Sequence, residues 1–487
     1  MKRIISAILL LTLCLTLFGC GDNGSDATQA THGQPKVLEV GFGKACISPT
    51  EPVVMNGGWM TGFLDDVYAI TVAFRDEENN IYIHVVTDLS WGGMSDENVQ
   101  VSYGVCDMVR DAAERELGLS PEYITVGGTH NHSQVNYSSK EEANERWRNN
   151  VLIPQVLASI KQAMEDLSPA EMHIGTTQTK NLTFVRRYWL EDGSLYEGYT
   201  GNKDSQIKEH ETAADEQIQM VNFVREGKKD VLMVNWQTHA TKVSSSGTQV
   251  CPDFVGPLRD RVEEALDVLC VFYQGACGNL APTSRIPGEA AIEDSGWAGA
   301  QKIGWAVAAY VIDAFESEVF VKVNTGLIQM ERITVTGDVY KFDEDLYEAA
   351  LRVQEFHKTS KHNYDTAAYA AQFGIETIYH ANAIVQNYKL GDKKTYELNI
   401  ISIGDVAFTT LPMEFFDTTG MQIKNGSPFD MTILLGYSCG KGKYVPDVEA
   451  YGHGGYESYN TYFVPGTAEI AVEHYLNSLN KLFTTRY

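Results

Sequence analysis

The feature that most constrains the fold is an alternation of strand-like and helix-like segments that runs through residues 37–487 without a linker. Runs of β-branched and aromatic residues predict strands over Val67–Arg75 and Ile81–Asp88, joined as a hairpin by the polar residues between them. Apolar residues at helical spacing predict helices over Asn98–Leu117 and Ala143–Leu167. No repeat, low-complexity tract or Pro-rich linker interrupts this stretch. The pattern therefore predicts one large mixed α/β domain.

The alternation continues through the rest of the chain. Strand-like composition predicts strands at Ile124–Gly127, Gln219–Val224, Asp230–Trp236 and Val268–Tyr273, a strand-rich stretch at Val319–Val335, and two short strands within Leu398–Leu411. Helical spacing predicts helices at Gly256–Leu266, Ile292–Phe315, Asp343–Ala383 and Ala468–Phe483. Strands that alternate with helices in this way are typical of the α/β class.

Composition narrows the class of function. The chain has 487 residues, with 38 Lys and Arg against 64 Asp and Glu, and therefore a formal charge of −26. Such an excess of negative charge repels phosphate groups, so we predict no binding to nucleic acid and no adsorption of the folded surface to an anionic membrane. Hydrophobic residues at 44% and charged residues at 21% exclude a wholly disordered chain.

The first 36 residues predict export and membrane anchoring. Two basic residues precede the apolar run Ile4–Phe18, whose 15 residues are too few to span about 30 Å of hydrocarbon comfortably. The end of this run, LFGC, resembles the lipobox of bacterial lipoproteins, in which the cysteine, here Cys20, carries the lipid. We therefore predict a lipoprotein signal peptide at 1–20, a flexible tether at 21–36 and an extracytoplasmic protein anchored to the bacterial cell membrane. The alternatives are an ordinary cleaved signal and a buried N-terminal helix.

Cysteine usage leaves the redox state open. Six cysteines lie outside the predicted signal peptide: Cys46, Cys106, Cys251, Cys270, Cys277 and Cys439. No two of them have the CxxC spacing of a thiolate zinc knuckle, so such a site is not predicted. In an exported protein the six either form disulfides or stay as buried free thiols, and the sequence favours neither.

The most informative motif is THNHS at residues 129–133, which directly follows the predicted strand Ile124–Gly127. Because side chains alternate along a strand, we expect the imidazoles of His130 and His132 to point to the same side. One imidazole is then available to a metal ion and the other to a proton. The alternative is a structural pair, since histidine pairs at strand ends often have no other role.

Two further candidate ligands also follow predicted strands. His239 follows Asp230–Trp236, and Glu414 follows Leu398–Leu411. Each has a structural alternative, which is a packed or exposed histidine for His239 and a helix N-terminal charge for Glu414. Histidine and carboxylate ligands with a position left for water have the composition of a catalytic zinc site.

Five segments, in order, resemble the neutral (non-lysosomal) ceramidase family. They are THNHS at 129–133, the strand-end His239, GACGNLAP at 275–282, LPMEF at 411–415 and KYVPDVEAYGHGGYE at 443–457. Residues 43–66 also resemble the opening of that family, so the resemblance covers residues 37–475. It implies a single mixed α/β catalytic domain of the neutral ceramidase type. It also implies a zinc-dependent hydrolase that cleaves the N-acyl amide bond of ceramide or a related lipid.

The resemblance further implies roles for individual residues. The family's zinc ligands fall on His130, His239, Glu414 and Tyr444. Its proton donor and acceptor falls on His132, its second active-site tyrosine on Tyr456, and its substrate-binding arginine on Arg186, with Arg187 as the alternative. A tyrosinate is an unusual but reasonable zinc ligand, because the cation lowers the pKa of the phenol.

Two departures from the family limit this interpretation. The family's active-site serine falls on Ala281, which has no hydroxyl, so hydrolysis here would depend on a zinc-activated water, with His132 protonating the amine and Tyr456 donating to the oxyanion. The alternative function is a lipoprotein of the same fold that hydrolyses a different amide or ester, or only binds its ligand. Only 30 residues follow Glu457, too few for the family's C-terminal immunoglobulin-like domain of about 100 residues, which we do not expect here.

Overall fold

The computed structural model describes residues 37–92, 104–199, 202–360, 363–440 and 442–486. These residues belong to one compact unit. The predicted signal peptide at 1–20, with Cys20, and the tether at 21–36 lie outside them, as does the first part of the helix predicted over Asn98–Leu117. No helix within the described ranges is long and apolar enough to cross a lipid bilayer.

Two β-sheets form the centre of the fold. Within the described ranges the larger sheet has nine strands, in the spatial order β16 (Leu269–Gln274), β14 (Val231–Trp236), β13 (Gln217–Arg225), β8 (Ser168–Gln178), β1 (Leu38–Cys46), β5 (Tyr68–Asp76), β6 (Ile81–Thr87) and β7 (Ile124–Gly128), with β18 (Val321–Val323) paired to β8. The smaller sheet has the order β19 (Ile328–Asp338), β20 (Lys393–Ile403), β21 (Val406–Leu411) and β23 (Met431–Gly436).

Helices and short strand pairs complete the fold. The helices are α1 (Val105–Leu117), α2 (Glu142–Trp147), α3 (Ile153–Glu165), α4 (Val255–Leu266), α5 (Gly296–Glu316), α6 (Glu344–Thr359), α7 (Asn363–Ala370), α8 (Ile378–Lys389), α9 (Asp417–Gly426), α10 (Val448–His453), α11 (Tyr456–Tyr459) and α12 (Thr467–Phe483). The short strands are β2 (Val54–Met55), β3 (Gly58–Trp59), β4 (Gly62–Phe63), β9 (Phe184–Val185), β10 (Tyr188–Leu190), β11 (Leu195–Tyr196), β12 (Ile207–His210), β15 (Gln249–Val250), β17 (Leu280–Ala281), β22 (Glu414–Phe415) and β24 (Tyr444–Val445).

The two sheets pack face to face, and helices cover their outer faces. On β1, Val40 and Phe42 point into the core between the sheets, where they meet residues of β21 and β23. The intervening Gly41 faces α3, and a Cβ atom at this position would lie 1.9 Å from the carbonyl oxygen of Ala163, so the close approach requires glycine. Helices α1, α3, α4 and α5 cover the larger sheet, and α9 and α12 cover the smaller one. The result is a helix–sheet–sheet–helix arrangement.

The mixed α/β class predicted from the sequence is confirmed. The two predicted hairpins are the antiparallel pairs β5–β6 and β13–β14. The prediction missed β8, whose sequence SPAEMHIGTTQ is too polar to stand out as a strand. β8 is nevertheless central to the larger sheet, because β1, β13 and β18 all pair with it.

Two predicted helices differ from the structure at their boundaries. The helix predicted over Ile292–Phe315 begins only at Gly296, after Ser295 in extended conformation. The helix predicted over Ala143–Leu167 contains a π-helical turn at Arg148–Leu152, which separates α2 from α3. A proline lies in the first turn of α3, and because proline lacks an N–H it disrupts the regular bonding of a continuous helix.

The six cysteines are free thiols, and all except Cys46 are buried. The Sγ atoms of Cys106 and Cys439 come within 3.5 Å of each other without a bond. The sequence left open whether these cysteines form disulfides or stay as free thiols, and in the structure they are free thiols.

Parallel strand pairs place several loops at one edge of the fold. The pairs β6–β7, β14–β16 and β21–β23 are parallel, so the carboxyl ends within each pair lie on the same side. The loop after β23 joins the two sheets, because the N–H of Gly92 donates to the carbonyl of Tyr437 and that of Cys439 donates to the carbonyl of Val126, both at 2.9 Å. Ligand sites in α/β sheets form outside such carboxyl ends.

Candidate metal centre

His130 and His132 converge, but not through strand alternation. β7 ends at Gly128, and His130 has a left-handed backbone conformation with a φ of 58°. Its Nε2 atom lies 3.2 Å from Nε2 of His132. The expectation that both imidazoles point to the same side is thus right, while its stated reason is wrong, because the chain has already left the extended conformation. A left-handed conformation is costly for a residue with a side chain and is often found at functional sites.

The imidazole of His130 is fixed by contacts on two sides. Its Nδ1–H donates to the carbonyl oxygen of Ser90 at 3.2 Å, which leaves Nε2 as the atom available to a ligand. The ring of Tyr437 stacks on it, with centroids 3.7 Å apart and planes inclined by 15°. The hydroxyl of Tyr437 in turn contacts Sγ of Cys277 at 3.0 Å.

Asn131 anchors the loop between the two histidines, a role that the sequence analysis did not assign. Its side-chain amide donates to the carbonyl oxygens of Asp88 (3.1 Å) and Cys251 (2.6 Å). Its Oδ1 accepts from the N–H of Ser133 at 2.9 Å. The side chain is fully buried, so these bonds tie the loop to two neighbouring segments. Its position inside the motif is the signal that points to it.

His239 and Glu414 meet His130 at a common point. Oε2 of Glu414 lies 3.3 Å from Nε2 of His239 and 3.6 Å from Nε2 of His130. Ligand atoms about 2.0–2.1 Å from a tetrahedral zinc ion are about 3.4 Å from one another, so this spacing fits zinc. Nε2 of His239 and Oε2 of Glu414 are buried and have no hydrogen-bond partner among the described residues, as expected of ligand atoms.

Glu414 is not a helix N-terminal charge. It lies in β22, whereas α9 begins at Asp417 and carries that residue in its first turn. β22 pairs in parallel with β24, and this ladder places Glu414 directly beside Tyr444. The phenol oxygen of Tyr444 accepts a hydrogen bond from Nη2 of Arg186 at 2.9 Å. The structure therefore places Tyr444 beside Glu414, which itself contacts His130 and His239.

Arg186 and Arg187 have different surroundings. Arg186 contacts Tyr444, the carbonyl oxygen of Gly278 (2.9 Å) and Oε1 of Glu457 (2.8 Å). Arg187 is fully buried and donates to three glutamates and to two backbone carbonyls, which are Glu197, Glu211, Glu457, Ala450 and Gly454. Of the two arginines, Arg186 is therefore the one at the candidate site.

The electrostatics favour neutral imidazoles. Burial, together with Arg186 and the neighbouring imidazoles, lowers the pKa of His130 and of His239 well below the usual range. Burial and Arg186 lower the pKa of His132 to about 4. Burial raises the pKa of Glu414 to about 8, although Arg186 opposes the shift. Neutral imidazoles are the form that binds a metal ion.

Tyr456 stands at the side of this cluster, and its ring centroid lies 5.4 Å from that of Tyr444. Tyr199 (4.7 Å) and Tyr379 (5.5 Å) also contact it, so it belongs to a wall of aromatic rings. Burial raises the pKa of Tyr456, which keeps its hydroxyl protonated and able to donate.

Ala281 lies in β17, where it pairs with Phe184 of β9. Asn279, two residues earlier, accepts at its backbone carbonyl from the N–H of Arg186 at 2.9 Å. Its side chain also bonds to Asp417 at the start of α9. The segment that carries Ala281 thus adjoins the candidate site, and the position of the family serine is occupied by a methyl group.

The residues present fit a zinc ion. The imidazoles of His130, His132 and His239 place their nitrogen atoms within 4.8 Å of one another. Those of His130 and His239 are the two that also contact the Glu414 carboxylate, whereas His132 is partly exposed. Nitrogen and oxygen donors in this number are the set that zinc prefers at catalytic sites.

Comparison with known proteins shows the neutral ceramidase fold. The chain is similar to the crystal structure of neutral ceramidase from Pseudomonas aeruginosa, with a TM-score of 0.68 and 16% sequence identity over 92% of this chain and 75% of that chain. It is also similar to a ceramidase complexed with C2, with a TM-score of 0.67 and 16% identity over 93% of this chain and 76% of that chain. No protein-family model and no curated protein sequence matches the chain.

Proposed function

We propose that this chain is a zinc-dependent hydrolase of the neutral ceramidase family, which cleaves the N-acyl amide bond of ceramide or a related lipid. The observation that carries the proposal is the convergence of His130, His239 and Glu414, with Oε2 of the carboxylate 3.3 and 3.6 Å from the two imidazole nitrogens. The three residues are far apart in the sequence, and His239 and Glu414 keep unpartnered buried atoms, which a purely structural cluster would not leave. The neutral ceramidase fold supports the same assignment.

The residues around the cluster have separate tasks. Zinc held by His130, His239, Glu414 and Tyr444 would lower the pKa of water and polarise the amide carbonyl. His132, which is partly exposed beside the ligands, accepts the proton of the attacking water at an imidazole nitrogen and passes it to the departing amine nitrogen.

Two further side chains act on orientation and charge. Tyr456 donates its hydroxyl hydrogen to the carbonyl oxygen as that oxygen gains negative charge. Arg186 fixes the phenol of Tyr444 through its 2.9 Å hydrogen bond and is itself held by Glu457 at 2.8 Å. The site is thus oriented by contacts that are already present in the structure.

The substrate is proposed as a class because of Ala281. A methyl group at this position removes a hydroxyl that the family places in the active site, so the bond cleaved, an N-acyl amide, is better supported than the identity of the lipid. Hydrolysis that uses water as the nucleophile needs no side-chain hydroxyl. The aromatic wall around Tyr456 supports a substrate with apolar surface.

The test is metal content followed by substrate profiling. We expect the purified protein to hold about one zinc per chain and to release fatty acid from a fluorescent ceramide, with the His130→Ala variant as the inactive control. Absence of zinc from the wild type would overturn the catalytic proposal. Bound zinc with turnover only of other N-acyl compounds would show that the substrate is one of those compounds and not ceramide. Bound zinc without any turnover would favour a ligand-binding lipoprotein.

We further propose that Cys20 carries a lipid that anchors the protein outside the cytoplasm. The support is the LFGC segment after a short apolar run and the polar tether that follows it. Labelling of cells with a radioactive fatty acid should mark the wild type and not the Cys20→Ser variant. Equal labelling of the two proteins would contradict the proposal.

A further inference from the structure

Two small cavities adjoin each other beside α11 and the helical insertion, defined as α6, α7 and α8 between β19 and β20. Each has a volume of about 170 Å³, and both are bordered by Glu376, Gly455 and Tyr459. The proposed hydrolysis gives no role to Glu376 or to the aromatic rings of the cavity beside α8 and α10, and of the other cavity it uses only Tyr199, which belongs to the aromatic wall around Tyr456. Their size suits a small molecule or the headgroup of a larger one.

Five aromatic rings line one of the cavities, which we call the aromatic cavity. It is lined by Tyr340, Phe342, Tyr451 and Tyr459, together with the imidazole of His380. The ring of Tyr340 lies 4.9 Å from Phe342 and 6.2 Å from Tyr451. The imidazole of His380 stacks on Tyr459 at 4.3 Å. The faces of such rings carry negative electrostatic potential and attract cations.

Glu376 brings a negative charge to this wall. It is the one carboxylate among the described residues that line the aromatic cavity. The structure shows no hydrogen bond or ion pair from its side chain to any described residue, and only its backbone N–H is used, as a donor to Nδ1 of His380 at 3.3 Å. Burial lowers the pKa of His380 to about 4, so this imidazole is neutral and does not compensate the carboxylate.

The nearby charges balance one another without Glu376. Arg186 and Arg187 are both paired with Glu457, and Arg187 is also paired with Glu211. The fourth carboxyl of this group, Glu197, borders the second cavity and has its pKa raised by burial and by Glu457. Glu376 is therefore the carboxylate of this group with no ion pair among the described residues, and its side chain is exposed at the cavity. Partial desolvation raises its pKa, although Arg187 opposes the shift.

We propose that the aromatic cavity and its neighbour bind a small organic ammonium ion, with the rings of Tyr340, Phe342, Tyr451 and Tyr459 around the cation and Glu376 as its counter-charge. Aromatic rings combined with a carboxylate are the chemistry that recognises alkylated ammonium groups. An inorganic divalent cation is excluded, because it requires several oxygen ligands, and of the two carboxylates that border the cavities Glu197 is already paired with Arg187. An anion is excluded by the same unbalanced charge.

The first test compares two ligands of equal shape. Choline and its uncharged isostere 3,3-dimethylbutan-1-ol are titrated into the full chain, with binding followed by calorimetry. We expect choline to bind saturably and the neutral alcohol to bind at least about tenfold more weakly, because only the cation interacts with the rings and the carboxylate. Equal affinities, or no saturable binding of choline, would overturn the proposal.

The second test uses matched variants. Glu376→Gln should weaken choline binding by about tenfold. Glu348→Gln removes the same charge from an exposed position of α6 that borders neither cavity, and should leave the affinity unchanged. Equal affinity of the Glu376→Gln variant and the wild type would contradict the proposed counter-charge. His130→Ala should bind choline like the wild type, since this site does not depend on the proposed hydrolysis.

Discussion

The candidate metal centre and the ion network around Arg187 are both buried and lie on either side of Arg186, yet their polar atoms are satisfied to different degrees. In the network every carboxylate has a cation within reach, and Arg187 donates to glutamates and backbone carbonyls. In the metal centre, Nε2 of His239 and Oε2 of Glu414 have no hydrogen-bond partner among the described residues. Burial without partners is costly, so it persists where a ligand completes the bonding.

The comparison separates holding a site together from acting in it. Burial of Glu457 raises its pKa, but Arg186, a hydrogen bond with Glu197, and Arg187 together lower it to about 2, which keeps this carboxylate charged between the two arginines. Because Glu457 bonds to both arginines, the network fixes the position of Arg186 and, through it, the phenol of Tyr444. The network therefore holds Arg186 and Tyr444 in position, whereas the metal centre is where we expect the hydrolysis to take place. Each of the following variants tests one side of this contrast.

The largest effect is expected from His239→Ala. This change removes one of the two imidazoles that contact Glu414 and leaves the buried carboxylate with only His130. We expect loss of bound zinc and of all hydrolysis, measured by metal analysis and fatty-acid release. His173→Ala on β8, a partly exposed histidine beside Glu171, is the control and should keep both. Full zinc content in His239→Ala would remove it from the ligand set.

His132→Ala should separate zinc binding from turnover. If His132 handles protons and is not a ligand, the variant keeps its zinc but loses about 10²–10⁴-fold in kcat. The geometry makes this a sharp test, because Nε2 of His132 lies only 3.2 Å from Nε2 of His130 and belongs to the same histidine cluster. Zinc loss equal to that of His239→Ala would instead make His132 a ligand.

Arg187→Met should act on stability. It leaves Glu211 without its arginine and Glu457 with only one of its two in a buried region, which costs about 3–5 kcal/mol of unfolding free energy. The measurement is the midpoint of urea unfolding. Arg115→Met, at an exposed pair with Glu116, is the matched control and should change stability by at most about 0.5 kcal/mol. Equal midpoints for the two variants would show that the network does not hold the fold.

How far the sequence predicts this fold depends on how local each signal is. The hairpin β5–β6 is predictable because its strands and turn lie within about twenty residues, where alternation and turn chemistry operate. β8 is not, because only Met172 and Gly175 of its eleven residues are buried and its place is decided by pairing with β1, β13 and β18. A strand whose place is decided by backbone pairing with distant strands need not show alternating hydrophobic residues in its own sequence.

The candidate site divides in the same way. His130 and His132 are visible because they share one motif, and His239 and Glu414 because each follows a predicted strand. The likeness to ceramidase motifs adds Tyr444. Asn131 and Glu457 lie inside two of these motifs, but the motifs do not predict what the two side chains do. Their importance comes from contacts with segments more than forty residues away, such as the bonds from Asn131 to Asp88 and Cys251.

The smallest effect on folding, and the most informative on substrate, is expected from Ala281→Ser. Ala281 is partly exposed and belongs to neither the ligands nor the arginine network, so a hydroxyl there should change stability by at most about 0.5 kcal/mol and leave zinc content unchanged. Hydrolysis of ceramide and of other N-acyl compounds by the wild type and the variant is measured side by side. If ceramide hydrolysis rises only in the variant, the serine is needed for ceramide and the native substrate is another N-acyl compound. Equal profiles would show that the residues around the metal centre are sufficient, because the reaction then proceeds without a side-chain hydroxyl at this strand.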